Sequence, residues 1–411
     1  ICARHAKGDS LKPIVAARHL GADASDDAIR EALFAMLDDI DGLAASLGAM
    51  KRIAVKANIG IMDVRLHRGR QTALTDPSVV AATIAWMRSH TDAEIVVGDA
   101  TTDTRCHEVA DAIGLTEPLA RSHARIVDYN DEPYTTFRVP DGGLMFREYV
   151  MSEHMASADA VVSLAKMKSH LATGATLTMK NLFGIPPCKV YGTPRRYLHA
   201  AIRLPRVLAD IGLILRPTIN VIDGIVGQTQ KEWHGPAVDS GWLIAGNNTV
   251  ATDAVGMTVM GVDPAGDYPD SPFHFDRNPV KLASERGLGP VDLAEMDVRG
   301  DALFASDAFF SDRHMEPDLL DDIRHSVAEQ AELFQDRRDA YVDEYAGQVI
   351  GLYDGDVIHA GPDLDNLKSR GEIAREQGQR NKGLYLKRVV PAPEEIETYS
   401  VYESLLAGAR A

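Results

Sequence analysis

Residues 159–170 read DAVVSLAKMKSH, a stretch that starts as a strand and ends in two lysines and a histidine. Its first half, Asp159–Leu164, is mostly apolar and β-branched, which is typical of a strand covered on both faces of a sheet. The polar residues follow where this strand ends. Ligands of open parallel α/β sheets bind at the carboxyl ends of the strands. The stretch therefore predicts a parallel type of sheet and the position of a binding site.

The alternation of strands and helices continues over residues 50–300. Strand-like runs at 52–55, 94–97, 124–129, 218–222 and 242–245 are separated by helical patterns such as 77–88 and 249–260. Such alternation predicts a mostly parallel sheet with helices on both faces. We predict an α/β fold of two lobes, with residues 51–150 in the first and residues 151–300, which carry the lysines and the histidine, in the second.

Three further segments flank this region. Residues 1–50 are predicted to be a helical N-terminal segment, and residues 301–345 an acidic helical connector. Residues 346–405 contain a strong hairpin signal, the turn Asp354-Gly355 between two β-branched runs, and are predicted to form a small α+β module. A second hairpin is predicted over residues 135–150.

Composition excludes several classes of function. Lysine and arginine number 43 against 60 aspartates and glutamates, and a net charge of −17 argues against a nucleic-acid binder. No run of about 18 apolar residues occurs, so we expect no membrane span. Cys2, Cys106 and Cys188 form no Cys-x-x-Cys pair, so we expect no iron–sulfur cluster bound by this chain alone.

The cellular compartment is predicted from the number of cysteines and from the sequence that follows Ile1. Few cysteines fit a reducing cytoplasm, where we expect the protein, and they fit export of a prefolded protein equally well. No basic-then-apolar leader is visible after Ile1. The expected partner is a small anionic molecule, and self-association into a homo-oligomer remains open.

Polar residues follow four of the predicted strands. For any one strand end, a turn or a helix cap would explain them, but four such ends together favour a binding site. These residues are Lys56, Asn58, Asp99, Lys166, Lys168, His170, Asp223 and Gly224.

Lys166 and Lys168 are two positions apart and project to the same face of an extended segment. At that spacing two ammonium groups repel by roughly 2.5 kcal/mol in a medium of intermediate dielectric constant. Solvent, the carboxylates of Asp99 and Asp223, or a bound phosphate or carboxylate could offset this repulsion. Burial could instead lower the pKa of one lysine and make it a base or a nucleophile.

The next stretch, Ala172–Phe183, is predicted to be a helix that ends at Gly184. On such a helix Thr173, Thr176 and Lys180 would form one polar stripe. The alternative is an ordinary helix with one face in solvent.

The stretch with the lysines and histidines, together with motifs further along the chain, resembles an uncharacterised family, number 362 among the domains of unknown function. The resemblance covers about residues 51–300, and residues 346–390 are similar to family 5678 of the same series. Members of the first family are often joined to a ferredoxin-type cluster domain, whose cysteine pattern this sequence lacks. The matching motifs are Lys166 to His170, Leu177 to Gly184, His199, Asp223-Gly224 and Asp253.

The chain also resembles, more distantly, the nickel-dependent lactate racemases. Lys180 follows His170 by ten positions and precedes His199, as in that family, and Thr75 lies in a similar Thr-Asp-Pro segment. The resemblance implies a metal–nucleotide cofactor held by Lys180, with histidines in acid–base and metal-binding roles. The family's Gly-Gly pair is replaced by Thr178-Met179 here.

Two main hypotheses follow. In the first, the protein is an enzyme, similar to isomerases or transferases, that acts on a small anionic substrate. Its catalytic residues would be Lys166, Lys168, His170, Lys180 and His199, with His170 and His199 also the candidate ligands of a divalent metal. The residues predicted to contact a cofactor are Lys56, Asn58, Thr75, Asp99, Asn181, Asp223 and Gly224. In the second hypothesis the same crevice belongs to a non-catalytic binding protein or a structural subunit.

Overall fold

The computed structural model describes residues 12–310 and 316–409. The strands are β1 (Ile14–His19), β2 (Arg52–Ala57), β3 (Leu66–His67), β4 (Arg70–Gln71), β5 (Glu94–Asp99), β6 (Ala124–Asp128), β7 (Tyr134–Arg138), β8 (Glu148–Ser152), β9 (Ala160–His170), β10 (Gly174–Thr176), β11 (Ile219–Gln228), β12 (Ala237–Val238), β13 (Trp242–Gly246), β14 (Asp297–Gly300), β15 (Val349–Tyr353), β16 (Asp356–Gly361) and β17 (Tyr385–Arg388).

The helices alternate with these strands through the first 300 residues and then dominate the chain up to β15. They are α1 (Asp26–Asp38), α2 (Leu43–Leu47), α3 (Pro77–Arg88), α4 (Cys106–Ala112), α5 (Thr116–Arg121), α6 (Glu153–Ala156), α7 (Thr178–Asn181), α8 (Cys188–Tyr191), α9 (Arg203–Leu215), α10 (Thr249–Val259), α11 (Pro279–Glu285), α12 (Pro317–Asp336), α13 (Arg338–Tyr345), α14 (Arg370–Gln377) and α15 (Ser400–Ala409).

One ten-stranded sheet organises the first 300 residues. Its strand order is β14-β1-β13-β11-β9-β2-β5-β6, with β10 added to β9 and β12 added to β11. Neighbours from β11 to β6 are parallel, whereas β13 is antiparallel to both of its neighbours. The predicted α/β class with a mostly parallel sheet is confirmed. The two predicted lobes share this single sheet, because β9 hydrogen-bonds to β2 on one side and to β11 on the other.

Alternate residues of the central strands pack against different helical layers. In β2, Ile53 and Val55 belong to the same buried cluster as Val80 of α3. Ala54 points to the other face and joins the cluster that contains Val207 of α9. This alternation follows from the twofold repeat of an extended chain, and it gives a sheet covered by helices on both faces.

The prediction of a helical N-terminal segment is incomplete. Residues 14–19 form β1, which lies between β13 and β14 in the sheet, and α1 and α2 follow it. The segment Ile-Val-Ala-Ala is short and apolar, so periodicity alone does not separate a strand from a helix here. Pairing with two neighbouring strands decides the outcome. Residues 1–11 lie outside the described part of the chain.

Both predicted hairpins are confirmed. β7 pairs antiparallel with β8, and β15 pairs antiparallel with β16. The second hairpin and β17 form a separate three-stranded sheet, which with α14 makes the small C-terminal α+β part. Within residues 12–310 and 316–409, no helix has the length and apolar character needed to span a bilayer.

A buried charge network joins this C-terminal part to the α/β core. Arg203 of α9 is 1 % exposed and donates to a Glu397 carboxylate oxygen at 2.7 Å. Lys387 of β17 donates to the other oxygen of Glu397 at 2.8 Å, and the Tyr402 hydroxyl donates to the first at 2.7 Å. Burial opposes ionisation of Glu397, but Arg203 and Lys387 outweigh it and lower its pKa to about 2. Glu397 is therefore charged and fully paired.

We expect Glu397→Gln to lower the free energy of unfolding by about 3–5 kcal/mol, because it leaves the buried Arg203 without a carboxylate and Lys387 with Glu395 alone. Urea denaturation followed by circular dichroism measures the change. The matched control is Glu376→Gln, which removes an exposed pair with Lys368 and should cost less than about 1 kcal/mol. Equal effects of the two substitutions would contradict a structural role for the network.

Candidate functional site

A cavity of about 260 Å³ lies at the carboxyl ends of β2 and β5. It is closed by α7, by the segment 194–199 and by the loop that follows β11. The predicted site residues that line it are Lys56, Asn58, Asp99, Lys180, Asn181 and His199. Half of the predicted residues are thus brought together where the parallel strands end, as the sequence suggested.

Lys56 is held by three acceptors inside this cavity wall. Its ammonium group donates to the Ala57 carbonyl at 2.7 Å, to Asp99 Oδ2 at 2.7 Å and to Asn181 Oδ1 at 2.9 Å. Burial lowers the pKa of Lys56, and the charge of Asp99 acts against this shift. Because an ammonium group has three protons, Lys56 has no donor left for a ligand. It positions Asp99 and Asn181.

Gly184 makes room for this ion pair. A Cβ atom at position 184 would lie 2.2 Å from Asp99 Oδ1 and 2.4 Å from Lys56 Cε, well inside contact distance. The backbone therefore approaches the pair more closely than any other residue type would allow. From the sequence, Gly184 is predicted only to end a helix, and its contact with the ion pair is not predicted.

The helix predicted over residues 172–183 is wrong for its first half. β9 continues to His170, the chain turns, and β10 pairs antiparallel with the end of β9. Gly174 has a φ of +72°, and His170 Nδ1 accepts the backbone N–H groups of Ala172 and Thr173. These local hydrogen bonds favour a turn over a helix. As a result, Thr173 and Thr176 do not share a helical face with Lys180.

The short helix α7 places Lys180 and Asn181 at the cavity. Asp253 caps its start by accepting the N–H groups of Thr178 and Met179, both at 2.8 Å. Burial raises the pKa of Asp253 to about 7, against the effect of these donors. The Asn181 amide donates to the Lys56 carbonyl and to Ser163 Oγ, so it cross-links β2 and β9.

Glu232, which the sequence analysis did not single out, connects Lys180 with His170. Its carboxylate oxygens lie 3.1 Å from Lys180 Nζ and 3.0 Å from His170 Nε2. Burial alone would raise the pKa of Glu232, but the charge of Lys180 and the contact with His170 hold it well below its usual range. Burial lowers the pKa of His170, against the charge of Glu232. Since His170 Nδ1 accepts two backbone N–H groups, the hydrogen-bond pattern assigns the ring proton to Nε2, which donates to Glu232.

The other two lysines have separate partners. Lys166 is fully buried and donates to Asp223 Oδ2 at 2.9 Å. Lys168 donates to the Ala73 carbonyl at 3.0 Å and lies 3.8 Å from the centre of the Trp233 ring. Burial lowers the pKa of Lys168 to about 7, although the charge of Glu232 opposes this. The Asp223 carboxylate and the Trp233 ring thus offset the repulsion expected from the spacing of Lys166 and Lys168. Neither lysine lines the cavity itself.

Three further residues predicted to contact a cofactor do not line this cavity, and the structure shows their contacts within the chain. Thr75 Oγ1 accepts the Asn58 N–H and donates to the Leu164 carbonyl, which ties the end of β2 to β9. Asp223 also accepts the Asp76 N–H at 2.8 Å. Gly224 lies inside β11, where a Cβ atom would approach the Trp242 carbonyl to 2.9 Å. The strand predicted over residues 218–222 is longer in the structure, because β11 continues to Gln228.

The residues proposed to hold a metal do not fit one. The rings of His170 and His199 are 6.4 Å apart between centroids, and both nitrogens of His170 already have partners. Among the described residues, no three His, Cys, Asp or Glu side chains are grouped as a metal site requires.

Three buried polar atoms at the cavity wall have no hydrogen-bond partner among the described residues. They are Asp99 Oδ1, Thr176 Oγ1 and Arg195 Nε. Arg195, which sequence analysis also missed, is 7 % exposed and donates through Nη1 to the Ala100 carbonyl at 2.8 Å. Its position in a Gly-Thr-Pro-Arg turn carries no periodic signal, so only the folded chain reveals it.

His199 stands at the opening of the cavity. Its ring lies 5.8 Å from the ring of Phe183, and the residue keeps contact with solvent. Partial desolvation of the ring and the charge of Lys180 lower the pKa of His199, so the imidazole is neutral near pH 7.

Comparison with known proteins finds one similar sequence and one partly similar solved structure. A thylakoid-associated protein of Synechocystis sp. is 26 % identical over 263 residues, which cover 62 % of this chain and 74 % of that protein. Among solved structures, the lactate racemase apoprotein of Thermoanaerobacterium thermosaccharolyticum matches with a TM-score of 0.32 and 12 % identity. That match covers 58 % of this chain and about half, 54 %, of the racemase chain.

The family comparison agrees with the motifs. The family described as "Domain of unknown function (DUF362)" matches residues 53–258, within the range that the sequence predicted. This region contains β2, β9, α7 and β11, and with them the lysines, His170, His199 and Glu232. The similarity of residues 346–390 to family 5678 stays a prediction. The chain belongs to the DUF362 family.

Proposed function

We propose that the protein is an enzyme that binds a small hydroxylated organic anion in the 260 Å³ cavity and moves a proton on it. The observation that carries the proposal is the set of unpaired buried atoms, Asp99 Oδ1, Thr176 Oγ1 and Arg195 Nε. A buried polar group without a partner costs about 1–3 kcal/mol. A molecule that pairs with all three recovers this free energy on binding.

The charge of the wall favours an anion. Lys56, Lys180 and Arg195 face two carboxylates, Asp99 and Glu232, so positive charge is in excess by one. Lys168 adds a further, partly protonated ammonium group behind Trp233. An anion in the cavity pairs with this excess positive charge, whereas a bound cation would be buried there without a partner.

The unpaired atoms also define the rest of the ligand. Arg195 Nε is a donor and requires an acceptor, whereas Asp99 Oδ1 is an acceptor and requires a donor such as a hydroxyl group. A cavity of 260 Å³ holds about nine water-sized groups at roughly 30 Å³ each. A hydroxycarboxylate of about this size satisfies both demands.

His199 is our candidate for the proton transfer. A neutral imidazole near pH 7 can accept a proton from the carbon that carries the hydroxyl group, while the electron pair of that C–H bond passes into the adjacent carboxylate as an enediolate. A deuteron from solvent can then add back to the same carbon. Solvent contact at the opening of the cavity supplies that exchange.

The first test is discrimination between malate and succinate, which differ by one hydroxyl group. We expect malate to bind at least tenfold more tightly by isothermal titration calorimetry, because succinate leaves Asp99 Oδ1 unpaired. Arg195→Gln should weaken malate binding at least tenfold. Lys189→Gln, which removes an exposed lysine, is the control and should have no effect. Equal affinity for the two acids contradicts the role of Asp99, and no binding of either acid or of inorganic phosphate contradicts the proposed function.

The second test concerns catalysis. In deuterium oxide, wild-type protein should replace the hydrogen on the hydroxyl-bearing carbon of malate with deuterium, as followed by proton NMR. His199→Gln should abolish this exchange and keep malate affinity within about threefold. Malate binding without any exchange in the wild type would indicate a non-catalytic binding protein.

The third test uses pH. The lowered pKa of Lys168, about 7, means that this lysine is charged below pH 7 and neutral above it. Malate affinity should therefore fall as the pH rises from 6 to 8. In Lys168→Met the affinity should be weaker at pH 6 and should change less over this range. A pH profile identical to that of the wild type would show that Lys168 does not act on the ligand.

A further inference from the structure

A carboxylate of the chain itself, that of Glu232, lies at a corner of the cavity wall between Lys180 and the buried His170 behind it. Glu232 places one oxygen 3.1 Å from Lys180 Nζ and the other 3.0 Å from His170 Nε2. We infer that the ligand's anionic group is a carboxylate that binds between Lys180 and His170 in place of Glu232. This inference rests on the proposed function and adds the chemical class of the anion and the residue that competes with it.

The two donor side chains are more deeply buried than the Glu232 carboxylate that they bind. The side chains of Lys180 and His170 are 7 % and 4 % exposed, whereas that of Glu232 is 22 % exposed. The two donors are therefore fixed in the wall, and Glu232 reaches them from the side open to solvent. A side chain in that position can rotate outward without opening the core.

The loop that carries Glu232 is anchored through its backbone. Gln228, which is fully buried, donates to the Lys231 carbonyl at 2.8 Å and also bonds the Glu232 carbonyl. Thr229 donates its N–H to the Pro236 carbonyl at 3.0 Å, which closes the base of the loop. The exchange we infer thus requires rotation of the Glu232 side chain and no movement of the loop.

The donors at this corner suit a carboxylate better than a phosphate. Lys180 and the single Nε2 proton of His170 each meet one oxygen of a planar group. Lys168, the nearest further cation, is covered by the Trp233 ring and donates to the Ala73 carbonyl. A phosphate dianion presents three oxygens that accept strong hydrogen bonds, whereas the two donor groups of this corner are matched one to one by the two oxygens of a carboxylate.

The experiment compares three variants by isothermal titration calorimetry with malate, acetate and inorganic phosphate. Glu232→Gln keeps the shape of the side chain and removes its charge, so malate should bind at least tenfold more tightly than to the wild type. Glu232→Ala opens a space of carboxylate size and should bind acetate, at concentrations where the wild type binds none. Glu295→Gln removes an exposed charge elsewhere and should behave as the wild type. Melting temperatures establish that each variant is folded.

The outcomes separate the two proposals. Malate affinity that is unchanged or weaker in Glu232→Gln overturns the inference and leaves the proposed function in place. Tighter binding of phosphate than of acetate by Glu232→Ala also overturns it, because the corner would then not select a carboxylate. No binding of any of the three anions, by the wild type or the variants, overturns both. If Glu232→Ala does not fold, the comparison of Glu232→Gln with the wild type decides alone.

Discussion

The ammonium group of Lys56 is buried at the end of a central strand, and the candidate site is arranged around that constraint. A buried cation is tolerated only where its protons have acceptors. Here the acceptors come from β2 itself, from Asp99 at the end of β5 and from Asn181 on α7. The three elements are thereby fixed relative to one another. At position 184 only glycine, which has no Cβ, fits against the pair of Lys56 and Asp99. Asp99 lines the cavity and is left with one buried oxygen, Oδ1, that has no hydrogen-bond partner among the described residues.

The remaining lysines show how a chain places several like charges close together. Each has a different partner: Asp223 for Lys166, the Trp233 ring for Lys168 and Glu232 for Lys180. Asp223 belongs to the central sheet, whereas Trp233 and Glu232 are neighbours on the loop after β11 and are both partly exposed. The differences in burial, more than the lysines themselves, identify which corner can exchange its anion.

Sequence patterns predicted the parts of this arrangement that depend on local chemistry. Alternating strands and helices predicted the α/β class, and the polar residues after β2 and β5 predicted the edge at which the cavity lies, because parallel strands all end on the same side. The same reasoning misassigned residues 172–176 as helix and ended a strand at residue 222, although β11 continues to Gln228. In both places strand pairing determines the backbone conformation, because β10 pairs with β9 and β11 pairs with β13. Hydrophobic periodicity does not reveal such pairings.

Composition and local patterns were enough to predict the fold class, the lysine and histidine stretch and the excess of acidic residues over the whole chain. Only the tertiary structure decided that a single sheet contains both predicted lobes, that Glu232 lies against Lys180, and that Arg195 lines the cavity with an unpaired Nε. The physical reason is distance along the chain. Glu232 follows Lys180 by 52 positions, and contacts over such separations depend on how complete elements pack, which the properties of single residues do not specify.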